Sequence, residues 1–188
     1  MVAISQTDMA ILGMLTVEPM SGYDMKRFCE KSLVHFWHES YGNLYPRLRR
    51  LAAAGLVAYR TAIRERAPNA KVYKLTTLGR RRFLKWLQEP PEVERIRNEL
   101  VLKLFFGAKA APGFGVAMLE DHLHHLVKTR EGYQALDETL IALPIAKATK
   151  TYWRIALRRG QLLTEARIRW CQESLPLLQK HHGGQEVA

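Results

Sequence analysis

The sequence predicts a mainly α-helical protein with one β-hairpin, built as a small N-terminal domain followed by a helical C-terminal domain. Three observations lead to this fold class. Apolar residues recur at helical spacing along most of the 188 residues. Period-two alternation with β-branched and aromatic residues appears only between about residues 57 and 75. Pro90 and Pro91, which cannot continue a helix, separate the two parts, so the predicted domains are residues 1–89 and 90–188.

The first two helices are predicted from their capping signals. The first helix is expected over residues 7–17, with Thr7 as its N-cap and Pro19 as its stop. The second begins at Ser21, because Ser21 and Asp24 have the spacing of a capping box.

The third helix is expected over about residues 40–54, and Gly55 is its C-cap glycine. Its apolar stripe consists of Leu44, Leu48 and Leu51. Pro46 conflicts with this helix, because a proline in a helix interior removes a backbone donor and costs about 3 kcal/mol. Two interpretations remain open: the helix begins late, with Pro46 in its first turn, or it is kinked there.

The hairpin and the fourth helix complete the N-terminal domain. The strands are expected over residues 57–64 and 71–75, the turn over residues 67–70, and the next helix after Thr76. The hairpin is strongly basic, with Arg60, Arg64, Arg66, Lys71 and Lys74. Three helices, a hairpin and a basic helix, in this order, are typical of a winged helix-turn-helix.

Charge is distributed unevenly and points to a polyanionic partner. Residues 1–89 carry 15 basic and 7 acidic side chains, whereas residues 90–188 carry 14 and 11. The polar side of the third helix carries the groups that read base edges and bind phosphates. We therefore predict double-stranded DNA as a partner. The predicted contacts from this helix are Ser40, Tyr41, Asn43, Tyr45, Arg47 and Arg50, and those from the hairpin are Arg64, Arg66 and Lys71.

The C-terminal half reads as three helices, over about residues 92–106, 116–143 and 147–179. The middle one has leucines at alternating steps of three and four, the pattern of a coiled-coil seam. We predict that part of this seam packs on the last helix and the rest on a second copy of the chain. The predicted dimerisation residues are Leu119, Leu123, Leu126, Leu136 and Leu140.

Four aromatic residues of the C-terminal half admit two interpretations. Phe105, Phe106, Trp153 and Trp170 either belong to the core or line a pocket for a small aromatic or amphipathic effector.

Other chemistry is not indicated. No catalytic constellation, phosphate-binding loop or cofactor motif stands out, so we predict a protein that is not an enzyme and has no cofactor. His122 and His125 share a helix face, but solvated histidines are favoured over a metal site. Cys29 and Cys171 cannot form a disulfide framework, which favours a cytoplasmic setting, and redox sensing by either one stays open. No apolar run is long enough to span a membrane.

Several motifs resemble those of PadR-type transcriptional regulators. In the N-terminal half the matching runs are residues 11–13, 21–24, 44–51 with its proline, 55–57 and 73–79. The C-terminal half resembles the virulence-activator-type domain of some of these regulators, in residues 98–107, 152–160 and Trp170. The resemblance implies a homodimeric regulator, usually a repressor, that binds near-palindromic operators and in some cases releases DNA when a small molecule binds. The alternative is a winged-helix module that binds another protein.

Overall fold

A computed structural model describes residues 4–30, 44–62, 70–94, 96–142 and 145–183, the side chains of 181–183 excepted. The chain divides into two compact units, Met1–Val93 and Glu94–Ala188. No helix among the described residues is long and apolar enough to cross a membrane.

In its described residues, the first unit combines four helices with a small sheet, as the fold class predicts. Its elements, in chain order, are α1 (Gln6–Val17), β1 (Met20–Ser21), α2 (Gly22–Phe28), α3 (Leu44–Ala53), β2 (Val57–Ala62), β3 (Ala70–Leu75) and α4 (Thr77–Trp86).

Both early helices begin with a capping box, but only one begins where the sequence predicted. Ser21 caps α2 by accepting a hydrogen bond from the Asp24 backbone N–H, and the Asp24 carboxylate accepts from the Ser21 N–H. This prediction is confirmed. The predicted N-cap of α1 is wrong: Ser5 is the cap and Asp8 its reciprocal partner. Thr7 lies inside the helix and is buried, because the capping box begins two residues earlier.

The described part of α3 runs from Leu44 to Ala53 and includes Pro46 as its third residue. Residues 40–43, where the sequence predicts the start of this helix, lie outside the described residues.

The sheet is antiparallel, with the strand order β1-β3-β2. The hairpin pairs Tyr59 with Tyr73 and Thr61 with Lys71. Strand β1 pairs Met20 with Tyr73 on the other side of β3. This third strand has only two residues, so it shows no alternation from which the sequence could predict it.

The core of the first unit lies between its helices and one face of the sheet. Leu12 and Leu48 are fully buried, and Val57 and Tyr73 cover them from the sheet. The residues of this core come from α1, α2, α3, β1, β2 and β3, with Phe83 and Trp86 of α4 packed against it. The core fixes α3 against α1 on one side and against the hairpin on the other.

The second unit contains α5 (Glu99–Phe105), a 3-10 turn (Gly107–Lys109), α6 (Phe114–Ala142) and α7 (Lys147–Gly183). Helices α6 and α7 pack along each other through two separate clusters. One cluster centres on Leu119, Leu126, Ile168 and Cys171. The other centres on Tyr133, Leu140 and Leu157.

The predicted leucine seam of α6 is largely used within the chain. Leu119, Leu126 and Leu140 are buried, while Leu123 and Leu136 are partly buried in the same clusters. Their neighbours in these clusters come mainly from α7, because an antiparallel neighbour that follows a short connection is the nearest apolar surface for α6. The seam residues alone therefore leave little apolar surface for a second copy.

Candidate nucleic-acid interface

Helix α3 presents two different flanks on either side of its buried leucines. Tyr45 and Arg49, one helical turn apart, are exposed on the flank toward the hairpin. Arg47 and Arg50 lie on the opposite flank, toward α1. The second flank meets an acidic residue.

That acidic residue is Asp8, whose side chain is 1% exposed. Its Oδ2 accepts hydrogen bonds from the Ser5 backbone N–H at 2.8 Å, the Ser5 hydroxyl at 3.0 Å and Nη2 of Arg50 at 2.6 Å. Its Oδ1 accepts from Nη1 of Arg47 at 3.3 Å, and the same Nη1 donates to the Ser5 hydroxyl oxygen at 2.7 Å. Arg47 and Arg50 therefore bind within the chain while their side chains keep 25% and 44% of their surface exposed.

Burial alone would raise the pKa of Asp8. The hydrogen bonds from the Ser5 N–H, Arg50 and the Ser5 hydroxyl outweigh it, so the pKa lies below the usual aspartate range. Asp8 is therefore an anion at neutral pH.

The flank of α3 toward the hairpin continues into an aromatic and basic surface. The Nζ of Lys71 lies 4.3 Å from the centroid of the Tyr59 ring, and this ring lies 5.6 Å from that of Tyr73. Burial raises the pKa of Tyr73, while Lys71 and Arg49 oppose the shift through their positive charges. Arg49 is thus near enough to act on a hairpin residue. We call Tyr45, Arg49, Tyr59 and Lys71 the α3–wing surface.

The predicted DNA contacts have different positions relative to this surface. Tyr45 and Lys71 belong to it, whereas Arg47 and Arg50 are held by Asp8. The remaining five lie outside the described residues: Ser40, Tyr41, Asn43, Arg64 and Arg66. Sequence analysis overlooked Arg49, although its i,i+4 spacing from Tyr45 places both on one flank.

The four aromatic residues predicted to line an effector pocket do not come together. Trp170 packs on the cluster of Leu119 and Trp153 on that of Leu140. Phe105 and Phe106 contact each other edge to face and are 79% and 62% exposed. Trp153 and Trp170 are separated by 17 positions along one helix, about 25 Å at 1.5 Å per residue, and this distance excludes a shared pocket within one chain.

A shallow, mostly apolar groove lies where α5 passes into α6. Leu102, Phe106 and Phe114 form its apolar surface, and Lys103 and Lys109 also line it. The Nζ of Lys103 lies 2.7 Å from Oε1 of Glu99. Of the four predicted pocket residues, only Phe106 lines this groove.

The histidines of α6 do not form a metal site in the described part of the chain, which contains no group of three or more His, Cys, Asp or Glu side chains placed to share an ion. Nε2 of His122 lies 3.3 Å from Nη2 of Arg167, and its ring packs edge to face on Trp170. Burial, and then the charge of Arg167, lower the pKa of His122. The neutral ring can accept a hydrogen bond from that guanidinium.

Helices α1 to α3, the antiparallel hairpin and the basic α3–wing surface together define a winged helix-turn-helix protein. Residues 11–85 match the transcriptional regulator PadR-like family, and residues 96–179 match the virulence activator alpha C-terminal domain. The first unit therefore carries a PadR-like transcriptional regulator domain, and the second carries a domain of the virulence-activator alpha C-terminal type. Its relatives are named as regulators, which is a non-enzymatic role.

Two relatives illustrate the likeness. The negative transcriptional regulator PadR of Bacillus subtilis is 34% identical over 98 residues, which cover 52% of this chain and 54% of that protein. The chain thus matches only about half the length of that relative. A probable transcriptional regulator of Mycobacterium tuberculosis is 26% identical over 187 residues, covering 91% of this chain and 96% of that protein.

Solved structures of Bacillus subtilis PadR share the fold. The complex with operator DNA has a TM-score of 0.79 at 24% identity and covers 93% of this chain and 99% of that one. The complex with p-coumaric acid has a TM-score of 0.73 at 24% identity, covering 92% and 98%.

Proposed function

We propose that this regulator is a homodimeric repressor that reads an operator with α3 and the wing and releases it when a small amphipathic ligand binds. The observation that carries the proposal is the α3–wing surface, where an arginine and a lysine lie beside exposed tyrosines. Guanidinium and ammonium groups bind phosphates, and a helix beside a basic hairpin can enter the major groove while the hairpin follows the backbone. The structure of the relative with operator DNA supports DNA as the partner.

Within this proposal the residues have separate tasks. Arg49 and Lys71 bind phosphates or base edges, and Tyr45 contacts the groove from the exposed flank of α3. Ser40, Tyr41, Asn43, Arg64 and Arg66 remain proposed contacts on the basis of the sequence. Arg47 and Arg50 contribute through their exposed surface while Asp8 holds them.

Apolar surface on the second unit supports dimerisation. Phe105, Phe106 and Leu102 on or next to α5 are each more than half exposed, as is Ile155 on α7. Leu162 and Leu163 on α7 add to this surface, with nearly half of each exposed. Burying apolar surface stabilises association by about 25 cal/mol per Å². We therefore assign the contact with a second copy mainly to α5 and the exposed side of α7.

The groove between α5 and α6 suggests the class of ligand. Its apolar surface suits an aromatic ring, and the ammonium of Lys109 suits a carboxylate. A relative crystallised with p-coumaric acid, which combines these two features, supports an aromatic carboxylate. The ligand would shift DNA affinity by its differential binding to two dimer geometries.

The experiment that tests DNA recognition begins with selection of binding duplexes from a random-sequence pool by the wild-type protein. Affinity for a selected duplex and for a random duplex is then measured over a range of salt concentrations. We expect the logarithm of affinity to fall linearly with the logarithm of salt, with a slope of about −0.9 per phosphate contacted. Failure to enrich any sequence, or affinity that does not change with salt, would contradict the proposal and favour a protein-binding module.

A matched pair of variants locates the interface. Arg49→Ala should weaken binding and flatten the salt slope, because it removes a cation of the α3–wing surface. Lys128→Ala removes the same charge from an exposed position on α6 and should leave both quantities nearly unchanged. Equal effects of the two variants would show that only overall charge matters.

Ligand release is tested with p-coumarate and other aromatic carboxylates. A ligand that lowers the affinity for the selected duplex in the wild type should lose this effect in Phe106→Ala. If Phe106→Ala keeps the full response, the groove is not the ligand site.

A further inference from the structure

We propose that Asp8 is a positioning residue for operator recognition: its buried carboxylate fixes the guanidiniums of Arg47 and Arg50 and thereby the seating of α3 on α1. This inference rests on the proposed DNA-binding function and deepens it. It concerns a residue that lies outside the α3–wing surface and that the proposed function does not otherwise use.

The geometry gives Asp8 a role that reaches beyond its own helix. A capping box needs one carboxylate and one hydroxyl at a helix start, and Asp8 and Ser5 supply both. The same two side chains also bind the arginines of α3, which lie 39 and 42 positions along the chain from Asp8. The start of α1 is therefore joined to the middle of α3 by charge-assisted hydrogen bonds, which are shorter and stronger than neutral ones.

The negative charge of Asp8 is unexpected next to a helix that is proposed to bind DNA. A carboxylate beside a helix that binds a polyanion opposes binding by simple electrostatics. A buried ion pair is also often no more stabilising than apolar residues of similar size. A positioning role supplies the compensating advantage: arginines held in one conformation lose less side-chain entropy when DNA binds.

The arginines keep the capacity to bind DNA while they are held. Each guanidinium has five N–H donors, and the contacts with Asp8 and Ser5 are made through Nη1 of Arg47 and Nη2 of Arg50. Their side chains remain 25% and 44% exposed. Asp8 and Ser5 therefore orient the guanidiniums of both arginines without covering them.

The decisive variant is Asp8→Asn, because it keeps the size of the side chain and removes its charge. An amide offers one acceptor oxygen where the carboxylate offers two, so at least one arginine loses its hydrogen bond to this side chain. We expect about tenfold weaker binding to a selected duplex, together with unchanged or tighter binding to a random duplex. The second effect follows from the added positive charge. Specificity should fall although net attraction to DNA rises.

The control is Glu18→Gln, which removes one negative charge from an exposed position just after α1. It should tighten binding to both duplexes slightly and equally. Circular dichroism at the assay temperature must show that each variant is fully folded, so that loss of stability is not mistaken for loss of recognition.

A double variant tests whether Asp8 acts through Arg50. Asp8→Asn combined with Arg50→Gln should bind the selected duplex less than tenfold more weakly than Arg50→Gln alone, because one of the two residues that Asp8 positions is already absent. If Asp8→Asn does not fold, Ser5→Ala provides the test, since it removes an acceptor of Arg47 but leaves the carboxylate. It should lower specificity in the same direction.

The outcomes separate the hypotheses. Asp8→Asn that binds both duplexes more tightly, as Glu18→Gln does, would overturn the positioning role and show that Asp8 only masks the arginines. Equal weakening of binding to both duplexes would also overturn it. A wild-type protein that binds no duplex would contradict the proposed function itself, and the positioning role with it.

Discussion

The Nζ of Lys71 lies 4.3 Å from the centroid of the Tyr59 ring, on the strand opposite. Such a cation–π contact is worth about 0.5–1 kcal/mol at an exposed site. It restricts a flexible lysine to the Tyr59 side of the hairpin. The ammonium is therefore held within the α3–wing surface, where the proposed function requires it to bind a phosphate.

Lys71→Ala should weaken binding to selected and random duplexes alike, because a phosphate contact carries no sequence information. The slope of log affinity against log salt should flatten by about 0.9. Tyr59→Leu, which removes the ring but keeps the charge, should leave the slope nearly intact. A change in base preference, measured by repeating the selection with Lys71→Ala, would contradict the phosphate role.

The exposed aromatic residues of α5 predict an oligomer. Phe105→Asp should convert a dimer into a monomer in light scattering at micromolar concentration, because it places a charge in the proposed contact. The fold of each chain should persist, since Phe105 is 79% exposed in the single chain. A wild-type protein that is already monomeric, or a Phe105→Asp variant that stays dimeric, would contradict this interface.

Leu119, in contrast to the exposed Phe105, belongs to the core within a single chain. Its side chain is fully buried between α6 and α7, so Leu119→Ala should lower the free energy of unfolding by about 2–5 kcal/mol. The measurement is chemical denaturation followed by far-ultraviolet circular dichroism. Leu163→Ala, on the exposed side of α7, is the matched control and should cost much less in a monomeric background such as Phe105→Asp. Equal losses would mean that Leu119 is not part of the chain's own core.

Gly160 lies against Tyr133 where the two long helices pack together. A Cβ at this position would overlap the ring and hydroxyl of Tyr133, which is itself buried. Gly160→Ala should therefore destabilise the second unit by about 1–3 kcal/mol, the range for overpacking a core. Adding Tyr133→Leu should restore part of the lost stability, because the shorter side chain leaves room for the new methyl group. Additive losses in the double variant would argue against the overlap.

Asp8 predicts a dependence of stability on pH. Because the folded-state pKa of Asp8 lies below its value in the unfolded chain, the unfolded state binds more protons as the pH falls. Its stabilising contribution is fully present above the ordinary aspartate pKa, about 4, and is lost as the pH falls through the lower folded-state pKa. Asp8→Asn should be less stable at neutral pH and should show a smaller decrease in stability between pH 5 and 2. An unchanged decrease would show that other carboxylates cause it.

The sequence alone predicted the fold class, the hairpin, the capping box of α2 and the long apolar stripe of α6. These features depend on neighbours along the chain, and their residue spacing therefore records them directly. The basic character of the first half is likewise a property of composition. The family resemblance rested on short runs of this kind, and the matched family models agree with it.

Contacts between secondary-structure elements could not be predicted from residue spacing. Arg47 and Arg50 appear equivalent to Arg49 in sequence, yet only the first two meet Asp8, because the packing of α1 on α3 decides which flank faces an anion. Trp153 and Trp170 were predicted from the sequence to line one pocket. The rise of α7 along its axis places them in different clusters. The leucines of α6 could pack on either a neighbour in the chain or a second copy, and burial against α7 shows which surface they meet. Spacing along one helix determines which residues share a face, while only tertiary packing determines what that face contacts.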